Sequence, residues 1–180
     1  MVPAPRRHLC VLLPAPAAKP VEVLRRRWDP LMAARAPAHV TVTYPEETGD
    51  DELLLRRAAR VAADTPRFRL GLAAVFAEDG GHGGVFLSVE DVDGGWARLR
   101  RHLLAPPFRP VGFPPHVTVA HPRTAPDGPA CLAALAGRRR GDGLGVGVGV
   151  REFDVAEVCH TETTATSFTL LRRFPLGGRP

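Results

Sequence analysis

The chain has 180 residues, of which 44% are hydrophobic, and a formal net charge of +5 at pH 7. This length is sufficient for one domain with a hydrophobic core, and the positive charge favours an anionic partner such as a phosphate compound. No apolar stretch approaches the roughly 20 residues that span a bilayer, and three widely spaced cysteines exclude a disulfide framework and a zinc site of ordinary spacing.

The cysteines also predict a compartment. An odd number of cysteines without a Cys-x-x-Cys pair is typical of a reducing environment. We therefore expect a cytoplasmic protein. We also expect a monomer that requires no membrane, metal or other cofactor.

The first half of the chain is predicted to alternate strands with helices. Apolar residues at 3- and 4-residue steps from Val21 to Met32 indicate the first helix, which Pro30 kinks or ends. Asp50 or Asp51 can cap the second helix, which stops before Pro66. The predicted elements are a strand over 8–13, a helix over 21–34, a strand over 38–44, the helix after Asp51, and strands over 68–77 and 85–90 joined by a glycine-rich turn over 78–84.

The second half repeats this order of elements. Asp93 is predicted to cap a helix that carries Trp96, Leu99 and Leu103 on one face and ends at Pro106. The elements that follow are a strand over 116–121, a helix over 129–138, and two final strands over 146–158 and 166–174.

The repeated units predict the fold class. Each half contains strand, helix, strand units, which favours an α+β fold of two pseudo-symmetric lobes, each a mostly antiparallel sheet flanked by helices. We expect residues 1–180 to form a single bilobal domain with a central cleft between the lobes.

One tetrapeptide, His-Val-Thr-Val, occurs on a strand in each half, at residues 39–42 and 116–119. Since side chains alternate across a strand, each copy presents its histidine and threonine on one face and its valines on the other. His39 with Thr41, and His116 with Thr118, therefore each combine a proton-transfer group with a hydrogen-bond donor. The pair predicts a two-fold-like site with a histidine on each side of a substrate.

These paired His-x-Thr-x motifs resemble the signature of the two-histidine phosphoesterase superfamily, which contains 2′-5′ RNA ligase-like proteins and cyclic phosphodiesterases. The resemblance implies a metal-independent phosphoric diester hydrolase that opens 2′,3′-cyclic phosphates of RNA ends or nucleotides to 2′-phosphates, with 2′-5′ RNA ligation as the reverse capability. By analogy with the family His116 is the base and His39 the acid, although the symmetry of the motif permits either assignment. The two threonines would donate hydrogen bonds to the phosphate oxygens.

Several residues near the motifs are predicted to bind the substrate. Tyr44 follows the first motif and can stack on a base or simply pack, whereas His121 and Arg123 follow the second motif where family members often have a basic residue. Arg109 and Phe113 lie in a proline-rich loop before the second motif, which suits a nucleotide base and phosphate. The alternative for this loop is that its phenylalanines are buried beneath it.

Two other functions compete with the cyclic phosphodiesterase. A nucleotide- or RNA-binding module with a vestigial site would bind phosphate at the same cleft without turnover. A metal-dependent hydrolase could use His39, His116 and His121, but carboxylates at metal-binding spacing are missing. No arginine directly follows either motif, so the sequence leaves the remaining phosphates of a substrate without an obvious partner.

Overall fold

A computed structural model describes residues 5–136 and 151–177. The strands are β1 Arg6–Leu12, β2 His39–Thr43, β3 Phe68–Ala77, β4 Val85–Asp91, β5 His116–Ala120, β6 Arg151–Val155, β7 Glu157–Thr163 and β8 Phe168–Pro175. The helices are α1 Ala15–Trp28, α2 Pro30–Arg35, α3 Asp51–Asp64, α4 Gly95–Leu103 and α5 Gly128–Ala136, with short 3₁₀ turns at Pro45–Glu47 and Asp79–Gly81. None of the described helices has the length and apolar character needed to cross a membrane.

The strands form two four-stranded sheets, in the orders β2-β1-β7-β8 and β5-β4-β3-β6. All neighbouring strands are antiparallel, so the predicted α+β class with two antiparallel sheets is confirmed. The motif strands β2 and β5 are edge strands of their sheets and contact each other. The two motifs therefore lie at the junction of the sheets.

The two motif strands are held in equivalent registers. His39 pairs with Leu12 on β1, and His116 pairs with Ser88 on β4. A bulge interrupts each partner strand at the same distance from that pair, at Leu9/Cys10 and at Val85/Phe86. This repeated irregularity gives the two motif histidines equivalent places in their sheets.

The helices cover the outer faces of the sheets, and two of them cross between lobes. Helix α1 follows β1 of the first sheet but contacts β5 and β6 of the second, while α4 follows β4 of the second sheet but contacts β2 of the first. The apolar faces of these helices, with Val21 and Leu24 on α1 and Leu99 and Leu103 on α4, are buried in the hydrophobic core. Each lobe thus contributes one helix that contacts the sheet of the other lobe, and we call α1 and α4 the exchanged helices.

Pro30 separates the first predicted helix into α1 and α2. The predicted stop at Pro30 is confirmed, because α1 ends at Trp28 and Pro30 begins α2. The start of α1 lies earlier than predicted, at Ala15. Pro16 is tolerated there because the first turn of a helix has no internal partners for its N–H groups.

The predicted cap of α4 at Asp93 is wrong. The carboxylate of Asp91 accepts the backbone N–H groups of Trp96 and Ala97 at 3.1 and 2.9 Å. The carboxylate of Asp93 instead accepts hydrogen bonds from the backbone N–H and the guanidinium of Arg69 on β3. Both aspartates precede the helix. Because Arg69 binds Asp93, Asp91 is the one that accepts the N–H groups of the first helical turn.

The single strand predicted over 146–158 is also wrong, since the chain leaves one sheet and enters the other at Ala156. Phe153 on β6 pairs with Leu70 in the second sheet, while Cys159 on β7 pairs with Cys10 in the first. The stretch from Arg151 to Thr163 contains no glycine or proline, so the sequence does not mark the change of sheet. The parts of the predictions over 137–138 and 146–150 lie outside the described residues.

Candidate active site

The two motif histidines are held by the same hydrogen bond. Nδ1 of His39 lies 2.8 Å from the carbonyl oxygen of Pro37, and Nδ1 of His116 lies 2.9 Å from that of Pro114. A carbonyl only accepts, so each Nδ1 carries a proton and each neutral ring has its lone pair on Nε2. Both histidines are therefore prepared as bases, and the repeated Pro-x-His sequence is a signal that the motif alone did not include.

The structure brings both motifs into one cleft. His39, Thr41, His116 and Thr118 all line a cavity of about 350 Å³ between the sheets. The four side chains are half-buried, so they remain accessible from the cavity. The arrangement can place two imidazoles and two hydroxyls around one bound group.

Aromatic side chains surround His116. The ring centroids of Phe86, Phe76 and Tyr44 lie 4.9, 6.3 and 6.5 Å from that of His116, and Phe113 lies 5.3 Å from Tyr44. All four rings line the cleft. We call these residues the aromatic end of the cleft.

The loop before β5 places its two phenylalanines differently. Phe113 is 45% exposed at the mouth of the cleft, which leaves it available to a ligand. Phe108 is buried beneath the loop, with the guanidinium of Arg57 over its ring at 5.0 Å. The alternative, burial beneath the loop, is therefore confirmed for Phe108 and not for Phe113.

A buried ion pair supports the backbone next to His39. Arg25 on α1 is 2% exposed, lines the cleft, and donates from Nη1 to Glu22 at 2.8 Å. The same oxygen of Glu22 accepts the backbone N–H of Ala38 at 2.5 Å. Among the described residues, Nε of Arg25 finds no hydrogen-bond partner. The i,i+3 spacing of Glu22 and Arg25 is a local pattern, but nothing local indicates that Glu22 also binds the backbone of Ala38.

Burial lowers the pKa of His39, and the nearby positive charge of Arg25 lowers it further. The Pro37 carbonyl and Glu22 act in the opposite direction. The ring centroid of His8 lies 5.7 Å from that of His39, and burial lowers the pKa of His8 to about 3. His39 is thus neutral at pH 7 in the protein without substrate, and His8 stays neutral at any physiological pH.

His121 has the opposite hydrogen-bond pattern to the motif histidines. Its Nδ1 accepts the backbone N–H of Arg123 at 3.1 Å, so the neutral ring carries its proton on Nε2. Its own backbone N–H donates to the buried carboxylate of Asp29 at 2.9 Å, and the ring lines the cleft. Burial lowers the pKa of His121. His121 is therefore suited to donating a hydrogen bond into the cleft.

The remaining predicted contacts divide into two groups. Tyr44, Phe113 and His121 line the cleft, whereas Arg109 and Arg123 are exposed outside its lining. The backbone of Arg109 donates to the carbonyl of Glu47 at 3.3 Å. The binding roles of all five residues stay predictions.

In the described part of the chain, no three side chains among histidine, cysteine, aspartate and glutamate are grouped so as to hold a metal ion. Asp29, the carboxylate next to His121, already accepts hydrogen bonds from Met32 N, His121 N and Thr124 Oγ1.

Comparison with known protein families gives a match. The family described as the 2′-5′ RNA ligase superfamily matches residues 13–158. Comparison with curated protein sequences gives no match.

Several solved structures share the fold. E. coli LigT complexed with NADP+ is 21% identical, with a TM-score of 0.61 over 97% of this chain and 99% of that one. TT0787 of Thermus thermophilus is 19% identical, with a TM-score of 0.64 over 97% of this chain and 100% of that one. A crystal structure described as a phosphoesterase is 19% identical, with a TM-score of 0.64 over 96% and 99% of the two chains.

Proposed function

The chain belongs to the 2′-5′ RNA ligase superfamily, and from this premise we propose that it is a metal-independent cyclic phosphodiesterase. It hydrolyses 2′,3′-cyclic phosphates of RNA ends or nucleotides to 2′-phosphates, and 2′-5′ ligation is the reverse of the same step. E. coli LigT has been crystallised with 3′-AMP and with ATP. We extend the nucleotide class of ligand to this chain by analogy with that protein.

One observation carries the proposal. His39 and His116 line the same cavity, each has Nδ1 bound to a backbone carbonyl, and each therefore directs its chemistry through Nε2. An in-line displacement at phosphorus needs one group that removes a proton from the attacking water and another, on the opposite side, that protonates the leaving oxygen. Two histidines that line one cavity from different sheets support the proposal of such a pair.

In the proposed reaction, Nε2 of His116 takes a proton from water as the water oxygen attacks phosphorus. The bond from phosphorus to O3′ breaks, and O3′ takes the proton from Nε2 of protonated His39. The products are a 2′-phosphate and a free 3′-hydroxyl. Thr41 and Thr118 donate hydrogen bonds to the non-bridging oxygens, where negative charge builds in the transition state.

Protonation of His39 is coupled to substrate binding in this scheme. Burial and Arg25 disfavour the imidazolium in the free protein, whereas an anionic phosphate beside the ring favours it. A histidine with a lowered pKa is also the stronger acid once it is protonated. The buried environment of His39 is therefore compatible with the acid role that the family resemblance implies.

We expect His39→Ala and His116→Ala each to reduce kcat for adenosine 2′,3′-cyclic phosphate by about 10²- to 10⁴-fold, because each removes one proton-transfer group. The assay contains EDTA, and chromatography of the product identifies whether the phosphate stays on O2′. His102→Ala is the matched control, since His102 is exposed on α4; its kcat should equal that of the unmodified protein.

Circular dichroism checks that the variants keep the fold. Full activity in the double variant His39→Ala/His116→Ala would refute the proposed mechanism. Binding of the cyclic phosphate without turnover by the unmodified protein would instead favour the nucleotide-binding module.

A further inference from the structure

Each of the exchanged helices carries one buried arginine, Arg25 on α1 and Arg100 on α4. The helices share a spacing of buried residues, which is Val21, Leu24 and Arg25 on α1 and Trp96, Leu99 and Arg100 on α4. Each guanidinium donates to a carboxylate, that of Glu22 for Arg25 and that of Glu47 for Arg100. The two arginines therefore occupy equivalent places in the two halves of the chain.

The two arginines differ in how completely their charge is neutralised. Arg100 donates to both carboxylate oxygens of Glu47 and to two backbone carbonyls. Arg25 donates to one oxygen of Glu22 and to the carbonyl of Met32, at 2.8 and 3.3 Å, and its Nε finds no partner among the described residues. Arg25 also lines the cleft. A buried guanidinium with an unused donor therefore places a partly neutralised positive charge at the wall of the cleft.

One peptide group joins His39 to this ion pair. The carbonyl of Pro37 lies 2.8 Å from Nδ1 of His39, and the N–H of the same peptide, on Ala38, donates to Glu22 at 2.5 Å. Since Glu22 accepts from Arg25 with the same oxygen, hydrogen bonds run without a break from the guanidinium to the imidazole. Hydrogen bonds in such a chain polarise one another.

The second motif lacks this connection. Pro115 precedes His116, so the peptide group between Pro114 and Pro115 has a carbonyl for Nδ1 of His116 but no N–H. Ala38, at the equivalent position, is 2% exposed, and its buried N–H needs an acceptor. The carboxylate is thus required beside the first motif and has no role at the same place beside the second.

Four elements present charged, titratable or aromatic groups to the ring of His39. These groups are Arg25 and Glu22 on α1, His8 on β1, His116 on β5 and Phe168 on β8. Burial is the main cause of the lowered pKa of His39, and Arg25 lowers it further, whereas Glu22 acts in the opposite direction. His8 is neutral, because burial lowers its pKa to about 3. Among these groups, Arg25 carries the permanent positive charge.

We propose that Arg25 is a positioning residue for His39. Through Glu22 it holds the peptide group that binds Nδ1, and through its charge it keeps the ring neutral until an anionic phosphate enters the cleft. This inference rests on the proposed function, in which His39 must gain a proton before it can protonate O3′. The negative charge of the phosphate then favours the imidazolium, so proton uptake and substrate binding occur together.

NMR titration of the imidazole signals tests this role without turnover, and the signal that is missing in His39→Ala identifies His39. We expect Arg25→Gln to raise the titration midpoint of His39 by about 0.5 to 1 pH unit, because one nearby positive charge is removed. Glu22→Gln keeps an acceptor for the Ala38 N–H but removes a negative charge, so it should lower the midpoint. Arg25→Lys keeps the charge and should keep the midpoint, as should the matched control Arg26→Gln at the exposed neighbour on α1.

Two further measurements connect the midpoint to the reaction. Inorganic phosphate should raise the midpoint of His39 in the unmodified protein, because an anion beside the ring favours its protonation. The optimum of the bell-shaped profile of kcat/KM against pH, for adenosine 2′,3′-cyclic phosphate, should move in the same direction as the midpoint in each variant. A purely structural role of the ion pair would lower the activity without moving this optimum.

The outcomes separate this inference from the proposed function. Equal midpoints in the unmodified protein and Arg25→Gln, or shifts of the same sign in Arg25→Gln and Glu22→Gln, would overturn the role of Arg25 and leave the proposed function intact. If Arg25→Gln loses the circular dichroism of the folded protein, a midpoint in Glu22→Gln that does not fall would overturn it instead. A midpoint that phosphate does not change would overturn the coupling to substrate binding. Shifted midpoints in a protein that hydrolyses no cyclic phosphate would overturn the proposed function and leave the effect of the ion pair on His39.

Discussion

At the scale of single residues, the hydrogen-bond partner of Nδ1 distinguishes histidines that are otherwise the same side chain. Pro37 and Pro114 present carbonyls to His39 and His116, which leaves a lone pair on each Nε2. His121 faces a backbone N–H instead and so carries its proton on Nε2. The backbone therefore selects two rings suited to proton transfer and one suited to donating a hydrogen bond.

His8 gives a prediction about stability and pH. Its folded pKa of about 3 lies below the ordinary value of about 6.5, so the unfolded chain binds a proton that the folded protein does not. The stability that neutral His8 contributes is present above pH 6.5 and is lost as pH falls toward 3, at up to about 1.4 kcal/mol per pH unit. We expect the free energy of unfolding, measured in urea, to fall less between pH 7 and pH 4.5 in His8→Gln than in the unmodified protein. Equal losses in both proteins would show that His8 is protonated in the folded state.

At the scale of elements, α4 is connected to the first motif strand by a buried ion pair. Arg100 donates to both carboxylate oxygens of Glu47 at 3.0 and 2.6 Å, and also to the carbonyls of Val42 and Val111 at 2.7 and 2.9 Å. Glu47 in turn accepts the backbone N–H groups of Tyr44 and Val111, both at 2.7 Å. This one pair joins α4, β2 and the loop before β5, and it fixes the backbone of Tyr44 at the aromatic end.

Removing one partner of this pair should cost more than removing both. Arg100→Met leaves the carboxylate of Glu47 buried without its counter-charge, which typically costs about 3–5 kcal/mol. In Arg100→Met/Glu47→Gln the buried group is neutral, and its amide oxygen still accepts one of the two backbone N–H groups, so part of the loss should be recovered. Urea denaturation of the single and double variants measures the difference. A double variant that is less stable than Arg100→Met would contradict this account.

At the scale of the whole molecule, the exchange of helices makes the two lobes depend on each other. Helix α1 comes from the first half of the chain and covers β5 and β6, while α4 comes from the second half and covers β2. The sheets are divided as well, because β1 and β2 pair with β7 and β8 at the end of the chain, through β1 and β7. Neither half of the sequence contains a complete sheet with its own helices.

We therefore expect a fragment of residues 1–92 not to fold by itself, since it would expose the apolar faces of α1 and of both incomplete sheets. Near-ultraviolet circular dichroism and urea titration should show no cooperative transition for this fragment. Mixing it with residues 93–180 should restore a cooperative unfolding transition, because α1 can then pack against β5 and β6, and α4 against β2. Cooperative unfolding of residues 1–92 alone would show that the first half is an independent unit.

Much of the fold follows from local sequence patterns. The alternation of His-Val-Thr-Val determines which side chains share a face, and its recurrence indicated both the pseudo-symmetry and the family, which the match over residues 13–158 confirms. Pro30 marked the boundary of two helices for an equally local reason, because proline removes a backbone donor. Such patterns depend on neighbours within one turn or one pleat, so the sequence alone is sufficient to recognise them.

What the tertiary structure decided concerns partners that are remote in sequence. Asp29 binds the backbone of His121, Glu22 binds Ala38, and Arg100 binds Glu47, and no periodicity predicts these pairs. The same holds for Ala156, where one predicted strand divides between two sheets. Local alternation specifies the face on which a side chain lies, but only packing specifies what lies opposite it. For this reason the motif histidines were visible in the sequence, whereas the carboxylates that bind the backbone around their cleft became visible only in the folded chain.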